Sequence, residues 1–175
     1  MTAKRIEAVL RPASVAVVGA SATPGSIGDV LCRNLREGGF RGPVFYVTPR
    51  HASIGDEPSY PDVRSLPQAV DVAIIATPPP TLPTVLEHCG ERGVRGAIIV
   101  SAGFREGGEE GAACEKAMLQ VARRYGLRLL GPNSFGVIRT DDGFNASCGA
   151  ALPKPGRLAL VSQSSALCAA TLDWA

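Results

Sequence analysis

Two short stretches carry residue types suited to holding an anion. The first, Gly19-Ala20-Ser21-Ala22-Thr23-Pro24-Gly25-Ser26-Ile27-Gly28, follows an unbroken apolar run at Val15-Ala16-Val17-Val18. Gly19 lets the backbone leave a strand sharply, and Gly25 and Gly28 let a phosphate or the strand approach the next helix. Amide groups and the positive end of that helix would then face the anion, with the Ser21 and Thr23 hydroxyls as further donors. The spacing is looser than GxGxxG, so the turn by itself identifies no ligand.

The second stretch is Thr48-Pro49-Arg50-His51, at the tip of a strand over Val44–Val47. Folds that bind NAD place a carboxylate roughly twenty residues beyond the glycines, where it holds the ribose hydroxyls. Here that position is Thr48, with Arg50 beside it. A carboxylate would repel a phosphorylated ribose, whereas a hydroxyl and a guanidinium accept one. The expected ligand therefore carries a phosphate on its ribose: NADP, or coenzyme A with its 3′-phosphate. Two later segments, Thr77-Pro78-Pro79-Pro80 and Ser101-Ala102-Gly103-Phe104, follow apolar strands. They fall at the carboxyl edge of the expected sheet, where ligands bind, and the prolines offer a rigid apolar wall for adenine or a pantetheine arm.

The elements that must position these loops alternate. Strands are expected at 14–18, 44–47, 72–76, 97–100 and 127–130, and helices at 26–37, from 65–68, at 81–92 and at 109–125. Ser26 with Asp29 forms a capping-box-like pair, Gly38-Gly39 stops the first helix, and Thr81 is a candidate cap of the third. In that third helix Val85, Leu86 and Cys89 are expected to face inward. In the longest helix Ala113, Ala117, Met118, Val121, Ala122 and Tyr125 form the expected apolar stripe. This rhythm predicts an α/β, Rossmann-like, doubly wound parallel sheet.

After Leu130 the rhythm changes. The expected division is a domain over 1–150, a Pro- and Gly-rich linker over 151–156, and at 157–175 the first β-α unit of a second, flavodoxin-like domain that the chain cuts short. That unit reads as a strand at 158–161, the turn Ser162-Gln163-Ser164-Ser165, and a helix from Ala166.

The chain has 175 residues and a net charge of +2, too small to argue for nucleic acid or an anionic membrane as partner. Its five cysteines are scattered without a CxxC, a pattern of reduced thiols rather than a disulfide frame or metal site. No apolar run has the length of a membrane span and no signal-peptide core stands at the N-terminus, so a cytoplasmic location is expected. Homo-oligomerisation is left open.

The segments "SVAVVGAS", "VTPRH", "AIIVSAGF", "RLLGPNSFGV", "NAS" and "LALVSQSSALCAATLDWA" run in order across nearly the whole chain. Together they resemble the CoA-binding domain of the NDP-forming acyl-CoA synthetases, the superfamily of the succinyl-CoA synthetase α subunit. The resemblance implies CoA or acetyl-CoA bound by the 19–28 loop (Gly19, Ser21, Thr23, Pro24, Gly25). Arg50, with Thr48, would lie near the nucleotide phosphates and Pro78 near adenine. Ser101, Ala102 and Gly103 would follow the pantetheine, with Asn133 and Ser134 toward the thiol. It also implies a partner: the remainder of the same polypeptide, or a β-type ATP-grasp subunit.

In those synthetases a serine-rich turn holds the phosphate of a catalytic phosphohistidine, and Ser162, Ser164 and Ser165 match it. Active ligases usually carry Gly where this chain has Ser165. Neither His51 nor His88 matches the phosphohistidine; His88 reads as a solvated or packing residue of the third helix. The segments "IEAVLRPASVAVVGAS", "GGFRGPV" and "LDWA" further resemble proteins in which this region is fused to a GNAT-type protein lysine acetyltransferase domain. The leading expectation is thus a CoA-sensing regulatory domain of such an acetyltransferase, with the CoA-binding part of a working ADP-forming ligase as the alternative. An NADP-dependent oxidoreductase is the weaker rival, since no catalytic acid is evident. The turn "VSQSSA" lacks the glycines of a nucleophile elbow, and no histidine follows it. The acid pairs Glu109-Glu110 and Asp141-Asp142 read as solvated helix-start and turn charges.

Overall fold

A computed structural model describes residues 2–150 and 153–174, so positions 151 and 152 of the expected linker lie outside the described residues. Helix α1 (Thr2–Leu10) precedes strand β1 (Val15–Val18) and helix α2 (Ile27–Glu37). Strand β2 (Val44–Val47) is followed by two short strands, β3 (Ser53–Ile54) and β4 (Glu57–Tyr60). Then come β5 (Val72–Ile75), α3 (Leu82–Glu91), β6 (Gly96–Ile99), α4 (Glu109–Tyr125) and β7 (Arg128–Leu130). An antiparallel hairpin of β8 (Gly136–Arg139) and β9 (Phe144–Ser147) precedes α5 (Ser165–Trp174).

The main sheet has the order β3-β4-β2-β1-β5-β6-β7. All its pairings are parallel except β3 with β4. It is the expected α/β, doubly wound fold. β1, β5 and β6 are buried along their whole length, as strands covered on both faces must be. One face packs Ala16, Ile75 and Ile99 against Leu82, Leu86 and Cys89 of α3 and Met118, Val121 and Ala122 of α4. The other packs Val17, Ile74 and Ile98 against Val9 of α1, Leu31 and Leu35 of α2, and Phe144 and Ala146 of the hairpin. Chain order reverses at β1, with β2 on one side and β5 on the other. A crevice outside the carboxyl ends of these strands follows from that topology.

Several expectations need correction. The helix expected from Ser65 is a 3-10 turn over Val63–Ser65, started by Asp62, whose carboxylate accepts from the Arg64 and Ser65 amides. Thr81 does not cap α3: it is the last residue of a 3-10 turn (Pro79–Thr81) and has helical dihedrals. Its hydroxyl donates to the Pro78 carbonyl instead, at 2.7 Å. Ala113 faces solvent, because the buried stripe of α4 runs through Gly111, Met118, Val121 and Ala122. Residues 158–161 form no strand; among the described residues they have no partner strand, and Leu158 and Val161 stand almost wholly exposed. Asp29 reaches back to the Gly25 amide (2.9 Å), one residue beyond the Ser26 amide that a capping box would use, while Ser26 caps α2 by accepting from the Asp29 amide.

The hairpin is tied to α2 by a buried side-chain amide. Asn34 of α2, 3% exposed, donates through Nδ2 to the carbonyls of Ser147 (2.9 Å) and Gly149 (2.8 Å). Asn34→Ala strands both acceptors, and the expected cost is about 2–3 kcal/mol of unfolding free energy in a urea titration. Asn34→Asp is expected to cost as much or more, since a carboxylate cannot donate to either carbonyl.

Candidate functional site

The crevice between the ends of β1, β2 and β5 is an open cleft of about 1000 Å³. Its floor is Val18-Gly19-Ala20 and Ala76-Thr77; the 21–28 turn and the 48–51 turn form two walls, and α3 closes the third. Two glycines set its shape. Gly19 adopts φ +91°, and a β-carbon there would lie 3.0 Å from the Ala76 carbonyl and the Thr77 side chain. At Gly28 a β-carbon would lie 2.1 Å from the Gly19 carbonyl oxygen, so α2 begins in direct contact with the end of β1. The first intrahelical bond of α2 runs from Val30 to Ser26, which leaves the amides of Ile27 and Gly28 without an intrahelical acceptor at the cleft wall. These amides and the positive helix end suit a phosphate.

The rest of this turn stiffens itself. The Ser21 hydroxyl accepts from the Thr23 amide at 3.0 Å, and the Ser26 hydroxyl donates to the Thr23 carbonyl at 2.8 Å. Ser21 and Thr23 line the cleft, whereas Pro24 and Gly25 are exposed at the outer corner of the turn.

The opposite wall is held by the β3–β4 excursion. Thr48 is buried, its amide donates to the Tyr60 carbonyl (2.8 Å), and its hydroxyl accepts from the Arg50 amide (3.3 Å). Ser59 braces the same loop through the Ala52 and His51 carbonyls. The exposed Arg50 side chain is thereby placed at the cleft rim with His51. Asp62 is the one acid lining the cleft among the described residues. Its slight burial works against ionisation, but hydrogen bonds from the Arg64 side chain and from the Arg64 and Ser65 amides hold its carboxyl below the usual range. Its charge is thus committed to Arg64 (3.3 Å) rather than to Arg50.

The third wall was missed by sequence reasoning. Thr81, Thr84, Val85 and His88 line the cleft, with Pro78 and Pro80 before them. Their spacing of three and four places them on one helix face, which is the signal that could have found His88. The remaining candidates lie one strand further along. Ser101 is buried and donates to the Thr77 carbonyl at 2.6 Å, and the Asn133 amide donates to the Ser101 carbonyl at 2.9 Å. Ala102, Gly103 and Asn133 are exposed beside the cleft, with Ser134 half-buried behind them.

Ser162, Ser164 and Ser165 stand apart from this cleft at the start of α5. There Ser162 accepts from the Ser164 amide (3.0 Å) and Ser164 accepts from the Leu167 amide (3.2 Å), the geometry of a helix cap. The expected solvated acids are placed as such: Glu109 and Glu110 open α4, and Asp141 and Asp142 pair with Arg139 in the hairpin turn. Burial pushes the thiols of Cys32 and Cys89 up to about 11 and about 12, so neither is a nucleophile at neutral pH. No helix among the described residues is long and apolar enough to cross a membrane.

Residues 13–140 match a family described as CoA binding domain. The chain is 43% identical over 97% of its length to an ADP-forming acetate–CoA ligase of Archaeoglobus fulgidus, and 44% identical over 97% to the α subunit of such a ligase from Pyrococcus furiosus. It spans 24% and 37% of those two relatives' lengths. A solved acetyl-coenzyme A synthetase of Ca. Korarchaeum cryptofilum, in complex with phosphate and ADP, superposes on 97% of the chain with a TM-score of 0.88 at 36% identity; the chain covers 36% of it. The match runs through every loop that lines the cleft, and the chain accordingly belongs to the CoA-binding domain family.

Proposed function

We propose that the cleft binds coenzyme A and that the chain is the CoA-binding part of an ADP-forming acyl-CoA synthetase, an acid–thiol ligase. The observation that carries the ligand is the pairing of two walls at the chain reversal: open helix amides at Ile27 and Gly28 on one side, Arg50 on the other. The first wall suits the pyrophosphate and the second a ribose phosphate, with Pro78 and Pro80 against adenine. Ser101, Ala102, Gly103 and Asn133 then follow the pantetheine toward its thiol. The ligase reading draws on the high similarity to acetate–CoA ligases over nearly the whole chain. In it, residues 157–175 open a second unit whose Ser162-Ser164-Ser165 turn holds a phosphohistidine phosphate, and the partner is an ATP-grasp region in the same polypeptide or a separate subunit. The location is the cytoplasm.

The second reading, a CoA-sensing domain of a lysine acetyltransferase, rests on Ser165 standing where active ligases usually have Gly. The relatives named above favour the ligase. Incubating the intact protein with acetyl-CoA, ADP and phosphate separates the two: ATP formation is expected, and acetylation of lysine substrates without ATP formation would select the acetyltransferase.

The ligand itself is tested by melting. CoA at a hundred times its dissociation constant is expected to stabilise the protein by about 2.7 kcal/mol. At roughly 2–4 °C per kcal/mol for a chain of this size, this raises the melting temperature by about 5–10 °C. At the same concentration dephospho-CoA and NAD, which lack the ribose phosphate, are expected to give much smaller shifts. A shift from NADP that equals the shift from CoA would overturn the assignment.

A further inference from the structure

Beside the cleft, a carboxylate sits on a pair of donors contributed by two different loops. Glu106 Oε1 accepts from the Gly103 amide at 2.9 Å and from Asn133 Nδ2 at 3.4 Å. Gly103 follows β6 and Asn133 follows β7, so the two donors converge at the carboxyl edge of the sheet. Hydrogen bonds from the Glu106, Gly103 and Phe104 amides hold the Glu106 carboxyl below its ordinary value despite a small opposing effect of burial. The group is therefore ionised throughout the neutral range.

The loop backbones that carry the donors are held by bonds that do not involve Glu106. The Asn133 amide donates to the Ser101 carbonyl and the Ser134 amide to the Ile99 carbonyl (3.1 Å), which fixes the loop after β7 against β6. The Ser101 hydroxyl in turn ties this pair of loops to Thr77 on the cleft floor. A β-carbon on Gly103 would lie 3.4 Å from Pro79, the middle residue of the proline wall. Pro79 lies between Pro78 and Pro80, which line the cleft, so Gly103 stands beside that wall.

We propose that Gly103 and Asn133 form a subsite for a carbonyl oxygen of the bound thioester or pantetheine arm, and that the Glu106 carboxylate competes with the ligand for it. The inference rests on the CoA reading and adds to it a residue that opposes binding. Two exposed hydrogen bonds, one of them long, are weak enough for a ligand carbonyl to displace. A merely bracing Glu106 would help binding by stiffening the 103–106 turn, so the two roles predict effects of opposite sign.

The test is calorimetric titration of the intact protein and its Glu106→Ala variant with acetyl-CoA, CoA and 3′-phosphoadenosine 5′-diphosphate, the nucleotide half. Acetyl-CoA is expected to bind the variant about fivefold more tightly than the wild type, and the nucleotide half with unchanged affinity. An equal gain for CoA assigns the oxygen to a pantetheine amide, and a gain confined to acetyl-CoA assigns it to the thioester. Weaker or unchanged binding of acetyl-CoA overturns the proposal, as does an equal gain for the nucleotide half, which would reflect only the removal of a negative charge. Glu106→Gln keeps the side-chain length and one acceptor, so a smaller gain in the same direction is expected even if Glu106→Ala proves too unstable to assay. Failure of the wild type to bind the nucleotide half at all would instead count against the CoA reading.

Discussion

Gly28→Ala is expected to lower the melting temperature by roughly 3–10 °C and to weaken CoA binding by about a hundredfold or more. The added methyl group would start 2.1 Å from the Gly19 carbonyl oxygen and 3.1 Å from the Ser21 backbone nitrogen and β-carbon. Both neighbours belong to the backbone of the glycine turn, so no side-chain rotation relieves the clash. The start of α2 must move away from β1. Alanine returns up to about 1 kcal/mol through helix propensity, which is less than the usual 1–3 kcal/mol or more of overpacking against fixed atoms. The functional loss follows from the same displacement, because the Ile27 and Gly28 amides ride on the turn that moves. Two charge-assisted hydrogen bonds at about 1.5–3 kcal/mol each account for the hundredfold figure. Gly25→Ala is the internal control. Gly25 has φ +77° but nothing within 4 Å of an added β-carbon, so it pays only the backbone cost of about 1–2 kcal/mol and leaves the cleft wall in place. Thermal melts and CoA titrations of the two variants therefore separate close approach from conformational freedom. Equal loss of CoA affinity in both would show that the contact between Gly28 and Gly19 does not shape the site.

What could be read from the sequence tracks how local each cause is. β1, β5 and β6 are short β-branched runs buried on both faces, and burial on both faces leaves an unbroken apolar signature. α4 matches its expected bounds because its 17 residues end in the left-handed Gly126 that the sequence displays. The β3–β4 excursion was invisible: β3 has two residues, β4 contains Pro58, and their pairing is set by β2 on one side and by each other on the other. The run at 158–161 shows the converse, an apolar stretch that reads as a strand yet has no neighbour to pair with among the described residues. The site divides the same way. Its glycine turn and the Thr48–Arg50 turn follow from spacing along the chain. Along the wall of Thr81, Thr84, Val85 and His88, Thr81 read as a helix cap and His88 as a solvated or packing residue, and only the sheet's placement of β5 beside β1 turns them into one wall. Glu106 and Asn133 are 27 residues apart, and no pattern in the sequence joins them.

The Thr48–Arg50 turn also carries the sharpest test of ligand identity. Arg50→Ala is expected to weaken CoA binding by about 10- to 100-fold, the equivalent of about 1.5–3 kcal/mol for a charge-assisted hydrogen bond to phosphate. Dephospho-CoA, lacking the 3′-phosphate, is expected to bind the variant and the wild type alike. The selectivity comes from the loop's geometry. The Thr48 hydroxyl holds the Arg50 amide, the Tyr60 carbonyl holds Thr48, and the guanidinium is thereby offered at the rim on a short, braced turn. Because that guanidinium is exposed, its pull on phosphate is screened, so the difference between CoA and dephospho-CoA narrows as salt rises. Arg50→Lys keeps the charge but loses the planar fork, and an intermediate affinity is expected. Titrations of both ligands against the three proteins at low and moderate salt decide the matter. If Arg50→Ala weakened CoA and dephospho-CoA equally, the guanidinium would be bonding the pyrophosphate, and the ribose phosphate would have to be held by His51 or His88, the two histidines that line the same cleft.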